Sequence, residues 1–230
     1  MFQVKFAEKE MSFEAPLSVF DAAAAAELVS RAHLAALVDG ALVGMTYVLD
    51  KDCSVQLLTF ADELGKKVFR HSAAHVMAQA VKRLYPAAKL TIGPAIEDGF
   101  YYDFDSDVSF GTDALAALES EMKKIVKENH LIRRFTLPRD EAIKLMTERE
   151  EPYKVQLIEE LPEGETISFY EQGEYIDLCA GPHLFSTGAV KAFKLTQCTG
   201  AYWKGQVMGR SAKHSLVSSS ASPRMNMPSR

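Results

Sequence analysis

Residues 70–86, RHSAAHVMAQAVKRLYP, read as a helix that stops at its proline. His71 and His75 stand four residues apart near its start, so both imidazoles fall on one helical face with Cβ atoms roughly 5–6 Å apart. The segments on either side alternate like strands. Upstream, FQVKF and MSFEAP form a hairpin pattern ended by Pro16. LSVFDAAAAAELVSRAHLAAL then reads as a helix, with Ser18 and Asp21 spaced as a capping box and five alanines favouring helix. Short strands follow around turns at Asp39-Gly40 and Asp50–Asp52. Two strands, a helix and more strands within about 60 residues make a small α+β unit of the β-grasp kind.

Downstream of the histidine helix, KLTIGPAIEDGFYYDFDSD reads as two strands joined at Glu97-Asp98-Gly99. GTDALAALESEMKKIVKENHL is an amphipathic helix that Thr112 can cap. RRFTLP is a strand and RDEAIKLMTERE a helix. EPYKVQLIEEL, TISFYEQGEYIDLCAGPHL and KAFKLTQCTGAYWKG supply further strands. The expected organisation is a β-grasp domain over 1–62, a polar connector at 61–69 marking the boundary, and a larger α+β domain over 63–205. Residues 206–230 are serine-rich, and no acidic residue follows Asp177. They read as a disordered or foreign tail.

The chain has 230 residues, a formal charge of -5, 47% apolar and 25% charged residues. That composition is ordinary for a globular protein and excludes disorder throughout. The start lacks the apolar core of a signal peptide, and no apolar run is long enough to span a membrane. Three cysteines make no disulfide framework, and the expected compartment is the cytoplasm.

A second element, DLCAGPHLFSTG, sets Cys179 and His183 four apart with Gly181 and Pro182 between them, which favours a sharp loop after a strand. Asp177 and Cys179 would share one strand face. Alone, each pair has an ordinary structural reading: partly buried histidines with local hydrogen bonds, and a small buried cysteine. Together they offer three imidazoles, one thiol and one carboxylate. Such a set can hold zinc, or can position a water for attack on an ester. A zinc protease is excluded, because Ser72 follows His71 where a glutamate is needed. Tyr102 can line a pocket. Lys154, read on a strand, is either a snorkelling edge residue or a cation facing a phosphate or oxyanion. Trp203 reads as packing, with base stacking as the alternative. Basic residues from Lys82 to Arg139 read as a solvated face, with RNA-backbone contact as the alternative.

The motifs VFRHSAAHVMAQAV, IGPAIEDGFYYDFD, EPYKVQLI, YIDLCAGPH and GAYWKG, in this order, resemble the amino-terminal part of bacterial threonyl-tRNA synthetases. The resemblance runs from residue 1 to about 205. It implies a TGS domain followed by an editing domain that hydrolyses seryl-tRNA mischarged on the threonine tRNA. It implies an editing pocket lined by His71, His75, Cys179 and His183, with Lys154, Asp177 and Tyr102 as partners in substrate placement or water activation. Zinc is not implied as a requirement and stays open. Where that family continues into a class II catalytic domain, this sequence has its serine-rich stretch, so neither ATP binding nor tRNA charging is expected of it, and no oligomer either. The expected partner is mischarged tRNA. Serine lacks one methyl of threonine, a difference worth only about 1–3 kcal/mol in a pocket, so a second, hydrolytic site has a physical purpose. The competing reading is a remnant that binds RNA or protein without turnover.

Overall fold

The computed structural model describes residues 1–107, 111–200 and 213–219. The fold is α+β, and it begins with β1 (Phe2–Lys5) and β2 (Glu10–Phe13) paired antiparallel, Phe2 opposite Phe13. After β3 (Leu17–Ser18), helix α1 runs only from Val19 to Ala25. Ser18 Oγ accepts the Asp21 N–H at 3.0 Å and donates to its carboxylate at 2.7 Å, as the capping pattern requires. The helix then ends well short of the alanine-rich reading. Glu27 takes a positive φ of 60°, and Ala35–Val38 forms β4 instead. Val19, Ala22 and Ala23 bury one short helical face against Phe2, Val4, Ala36 and Val55, and a seven-residue helix suffices to cover that sheet.

Strands β5 (Ala41–Val43), β6 (Val48–Leu49) and β7 (Cys53–Leu58) complete this unit. The sheet order is β2-β1-β7-β4-β5 with a parallel β1–β7 pair at its centre, an arrangement of the β-grasp kind. Asp39 and Gly40, both at positive φ, make the tight turn between β4 and β5.

Helix α2 spans Glu63–Leu84, so residues 63–69, expected as a polar connector, are its first two turns. Asp62 closes the preceding turn by accepting the Thr59 N–H at 2.7 Å. The helix is buried nearly all round: Val68, Phe69, Ala73, Ala74, Val76, Met77, Ala80 and Val81 are each at most 1% exposed. A helix buried on all sides needs no amphipathic stripe, only small residues where neighbours approach.

Around it lie β8 (Lys89–Leu90), β9 (Ala95–Ile96), β10 (Gly99–Asp105) and α3 (Thr112–Glu128). Thr112 is the first helical residue of α3 rather than its cap, which is Gly111. Next come β11 (Ile132–Leu137), α4 (Arg139–Glu148) and α5 (Pro152–Glu160). Lys154 therefore sits on a helix, not on a strand as its sequence suggested. Pro152 presets the first-turn φ where no N–H is needed, and Tyr153, Lys154 and Ile158 form the buried face. In so short a run, strand and helix periods cannot be told apart.

Strands β12 (Ile167–Gln172) and β13 (Tyr175–Leu178) join β11 in a three-stranded sheet. Finally β14 (Lys194–Gly200) and β15 (Lys213–Ser219) pair with each other. β15 lies inside the stretch expected to be disordered or foreign. For those residues the expectation of disorder is corrected: β15 pairs with β10 from Gly99↔Ser219 to Asp105↔Lys213 and fills the backbone ladder between β10 and β14. Trp203 lies outside the described residues. Among those described, no helix is long and apolar enough to cross a membrane.

Candidate active site

The sheet register brings the distant motifs together. Tyr170 on β12 faces Asp177 on β13, while their neighbours Phe169 and Leu178 pair on the opposite face. Strand alternation sends Phe169 and Leu178 into the small core under α4 and α5, and Tyr170 and Tyr175 into the large core around α2. Asp177, in step with Tyr175, therefore meets the histidine face of α2. The chain leaves β13 through Cys179 and turns at Gly181, whose φ is +72°. A Cβ there would lie 2.0 Å from the Tyr170 hydroxyl oxygen, so only glycine fits both the backbone and the packing. The turn swings His183 back over α2.

All four motif residues converge. His71 Nε2 is 3.0 Å from Cys179 Sγ, and His183 Nε2 is 3.3 Å from the same sulfur. The His71 and His183 rings stack with centroids 4.3 Å apart, and the His75 ring is 4.1 Å from that of His183. The Gly181 N–H donates to Cys179 Sγ at 3.2 Å. His75 and His183 are buried, whereas His71 and Cys179 keep partial exposure. The last two are thus the members that a substrate can reach.

Behind the imidazoles lies a buried polar network. The Lys154 ammonium is 2.7 Å from Asp177 Oδ1, and both residues are at most 3% exposed. The hydroxyls of Tyr102 and Tyr175 donate to Asp177 Oδ2 at 2.6 and 3.0 Å, and Lys154 donates to the Tyr102 oxygen at 3.1 Å. His75 Nε2 stands 3.6 Å from Asp177 Oδ2. The structure thus gathers His71, His75, Cys179, His183, Lys154, Asp177 and Tyr102 around one centre. Tyr101, its sequence neighbour, is only half-buried.

Two positioning residues were missed from sequence. Ser72 Oγ donates to the Val68 carbonyl at 2.9 Å, accepts the Leu184 N–H at 2.9 Å, and lies 3.1 Å from His183 Nδ1. Its one proton is committed to Val68, so this network assigns the proton to His183 Nδ1 and leaves the Nε2 lone pair facing the sulfur. Tyr175 is the other. Its place two residues before Asp177 on a strand was a signal that it shares the aspartate's face. Nothing in the sequence marks Ser72 beyond its place beside His71.

Burial sets the protonation states. It lowers the pKa of His71, against a hydrogen bond to the Gly93 backbone and the field of Asp177, and lowers those of His75 and His183 further, helped by the neighbouring imidazoles and, at His75, by Lys154. Burial, then Asp177, pushes the Cys179 thiol up to about 12. Burial and Asp177 likewise hold Tyr102 and Tyr175 as neutral phenols. The resting site is therefore three neutral imidazoles and a thiol beside one Lys–Asp pair.

A stability consequence follows with a definite sign. A histidine whose folded pKa is depressed adds stability above its unfolded value near 6.5, and that stability is lost as pH falls toward the folded value. Acid titration of the unfolding free energy is expected to fall from about pH 6.5 downward, each buried histidine contributing up to ~1.4 kcal/mol per pH unit. Denaturant melts between pH 7 and 5 measure it, and a flat profile would mean that the three rings are protonated in place.

The same four side chains suit a metal. One donor atom from each lies within 4.8 Å of all the others. Tetrahedral zinc with bonds of about 2.0–2.3 Å holds its ligand atoms roughly 3.3–3.6 Å apart, close to the spacings of Cys179 from His71 and His183. The imidazoles are already neutral, as ligation requires, and buried His75 Nδ1 has no hydrogen-bond partner among the described residues. His71, His75, Cys179 and His183 fit zinc.

Comparison with known proteins adds two findings. Residues 167–214 match the family described as threonyl and alanyl tRNA synthetase second additional domain. The chain is 60% identical over 177 residues to a threonine–tRNA ligase of Acetivibrio thermocellus, covering 77% of this chain and 28% of that protein. It is 54% identical over 198 residues to the corresponding ligase of Clostridium kluyveri and 55% identical over 198 residues to one of Clostridium botulinum, covering 86% of this chain and 31% of each. The chain thus spans less than a third of the length of these relatives.

Proposed function

We propose that this chain, a relative of the threonyl-tRNA synthetases along most of its own length, hydrolyses the ester of seryl-tRNA mischarged on the threonine tRNA, in the cytoplasm. The convergence of His71, His75, Cys179 and His183 above the Lys154–Asp177 pair is the observation that carries this reading. Partly exposed and neutral, His71 is the general base: it takes a proton from water as the water oxygen attacks the ester carbonyl carbon. As the tetrahedral intermediate collapses, the C–O bond to the ribose breaks. The imidazolium then returns the proton to the leaving hydroxyl, and the products are free serine and a deacylated 3′ end. Covalent attack by Cys179 is disfavoured, because its thiol is pushed up to about 12 and a thiolate is the required nucleophile. His183, oriented through Ser72, holds the sulfur in place. Asp177, Tyr102 and Lys154, buried behind the imidazoles, form the polar back wall that fixes the shape and the field of the site in which the seryl group sits.

Zinc is not required in this proposal. Bound by all four of His71, His75, Cys179 and His183, it would have a closed tetrahedral shell and cross-link the helix to the loop; held by three of them, it would supply Lewis acidity and a water acidified to a pKa near ~7. The test is incubation of the chain with labelled seryl-tRNA and threonyl-tRNA, each with and without chelator. Serine is expected to be released, threonine retained, and the chelator to leave the rate unchanged. Release of neither amino acid would remove the reading in favour of a binding module. Release abolished by chelator would assign the chemistry to the metal.

A further inference from the structure

His183 is carried by a stretch without regular secondary structure: residues 179–184 belong to no strand or helix. No ladder fixes such a stretch, so its position is set by what grips it from outside. On one side the large domain holds it. The Leu184 N–H donates to Ser72 Oγ at 2.9 Å, and the Phe185 carbonyl accepts the Ile132 N–H at 3.0 Å. On the other side the β-grasp unit holds it. The ring of Phe20 on α1 stacks on that of Phe185, with centroids 5.5 Å apart and planes 19° from parallel. A Cβ on Gly44 would stand 3.0 Å from the His183 carbonyl oxygen, so the two backbones touch there.

The two contacts from the β-grasp unit act as one piece. The Val19 and Phe20 N–H groups donate to the Tyr47 and Met45 carbonyls, each at 2.9 Å, which ties the first turn of α1 to the stretch that begins at Gly44. That piece is itself anchored to α2. Leu34, Ala35 and Leu58 of the β-grasp unit lie in the same core as Val68 and Phe69, and the Phe60 ring meets the Phe69 ring edge-on at 5.2 Å. A grip positions a loop only if it is fixed to the element that the loop must meet, and here that element is the histidine helix. Phe20 is not spent on its own unit's core. The helix buries Val19, Ala22 and Ala23 there, whereas Phe20 and Phe185 keep 36% and 39% of their surface exposed and meet each other. Their contact lies two residues from the His183 imidazole, and an aromatic pair of this kind is worth about 0.5–1.5 kcal/mol.

We infer that the β-grasp unit braces the site: Phe20 and Gly44 are positioning residues that hold the loop, through Phe185 and the His183 carbonyl, so that the His183 ring keeps its place beside Cys179 Sγ and Ser72 Oγ. For its effect on rate the inference rests on the proposed deacylation, where a displacement of ~1 Å costs up to ~10²-fold. Two measurements on the full chain test it: seryl-tRNA hydrolysis, and the ring-nitrogen chemical shifts of His183 by NMR at neutral pH. Phe20→Ala and Phe185→Ala are each expected to lower kcat ~10-fold with KM within ~2-fold of the parent, and the double variant to be no slower than the slower single one. Phe20→Tyr keeps a stacking ring and should retain the parent's rate. In both alanine variants the His183 nitrogens should move from one tautomer, protonated at Nδ1, toward an average of two. Phe13→Ala, which removes the ring contact to Phe2 on the edge strand β2, is the control: it should lose stability but keep both the rate and the His183 signals. Parental kcat and unmoved His183 signals in Phe20→Ala overturn the inference. So does a rise in KM in place of the fall in kcat, or an equal loss of rate in Phe13→Ala. If the parent chain releases no serine, the proposed reaction is removed and the NMR signals alone decide: movement in Phe20→Ala but not in Phe13→Ala keeps the brace, and no movement removes it.

Discussion

Replacing Lys154 by methionine is expected to lower the unfolding free energy by ~3–5 kcal/mol, the cost of stripping a buried carboxylate of its cation. Asp177 is 1% exposed and would keep only the two phenol hydroxyls. Water cannot replace the ammonium without opening the packing of Tyr102 and Phe104, whose rings stack 4.8 Å apart and are at most 1% exposed. Urea denaturation reads the loss as a shifted midpoint at constant slope. The double variant Lys154→Met/Asp177→Asn should recover much of it, because an amide needs no counter-charge and can accept from both phenols. A single variant within ~1 kcal/mol of the parent would show that the pair is solvated. Because the pair underlies the site, Lys154→Met should also slow deacylation. The double variant separates the two roles: it should regain stability without regaining rate.

Substitution of His71 by alanine is expected to reduce seryl-tRNA hydrolysis by ~10²–10⁴-fold, the range for loss of a positioned general base. Stability should change far less than for Lys154, since His71 is the partly exposed imidazole and its loss leaves no buried charge. The pH profile distinguishes a base from a spacer. His71 has a pKa lowered by burial, so the parent should hold its rate as pH falls to 6.5 and lose it only below. His71→Ala should lack that acid limb. A His71→Ala enzyme with the parent's rate would move the base elsewhere in the cluster. A His71→Asn variant retaining most of the rate would reduce the imidazole to a hydrogen-bonding spacer.

The two motifs that make the site were readable as residues but not as a site. His71 and His75 fall on one face by helical period alone, and the Gly181–Pro182 pair announces a turn. Their union depends on the Tyr170–Asp177 register and on a glycine that admits the Tyr170 hydroxyl, neither of which any local pattern carries. Lys154 was recognised as a cation among apolar residues yet assigned to the wrong element, because its run fits both periods. The alanine run overstated α1, since intrinsic propensity yields where the chain beyond must supply a strand to the sheet. Lys213–Ser219 gave no apolar signal because its pairing is made by backbone groups, to which composition is nearly blind.

By itself the sequence determined an α+β chain, the helix that bears the histidines, the loop that bears Cys179 and His183, and the kind of chemistry those residues can perform. These are local properties, written in period, turn residues and side-chain type. Only the tertiary structure decided that the sulfur lies 3.0 Å from His71, that Lys154 neutralises Asp177, and that Ser72 sets the His183 tautomer. The first and last of those facts join residues 108 and 111 positions apart in the chain, and Lys154 and Asp177 lie on different elements. They are fixed by which faces the core buries, and no window of sequence contains both partners.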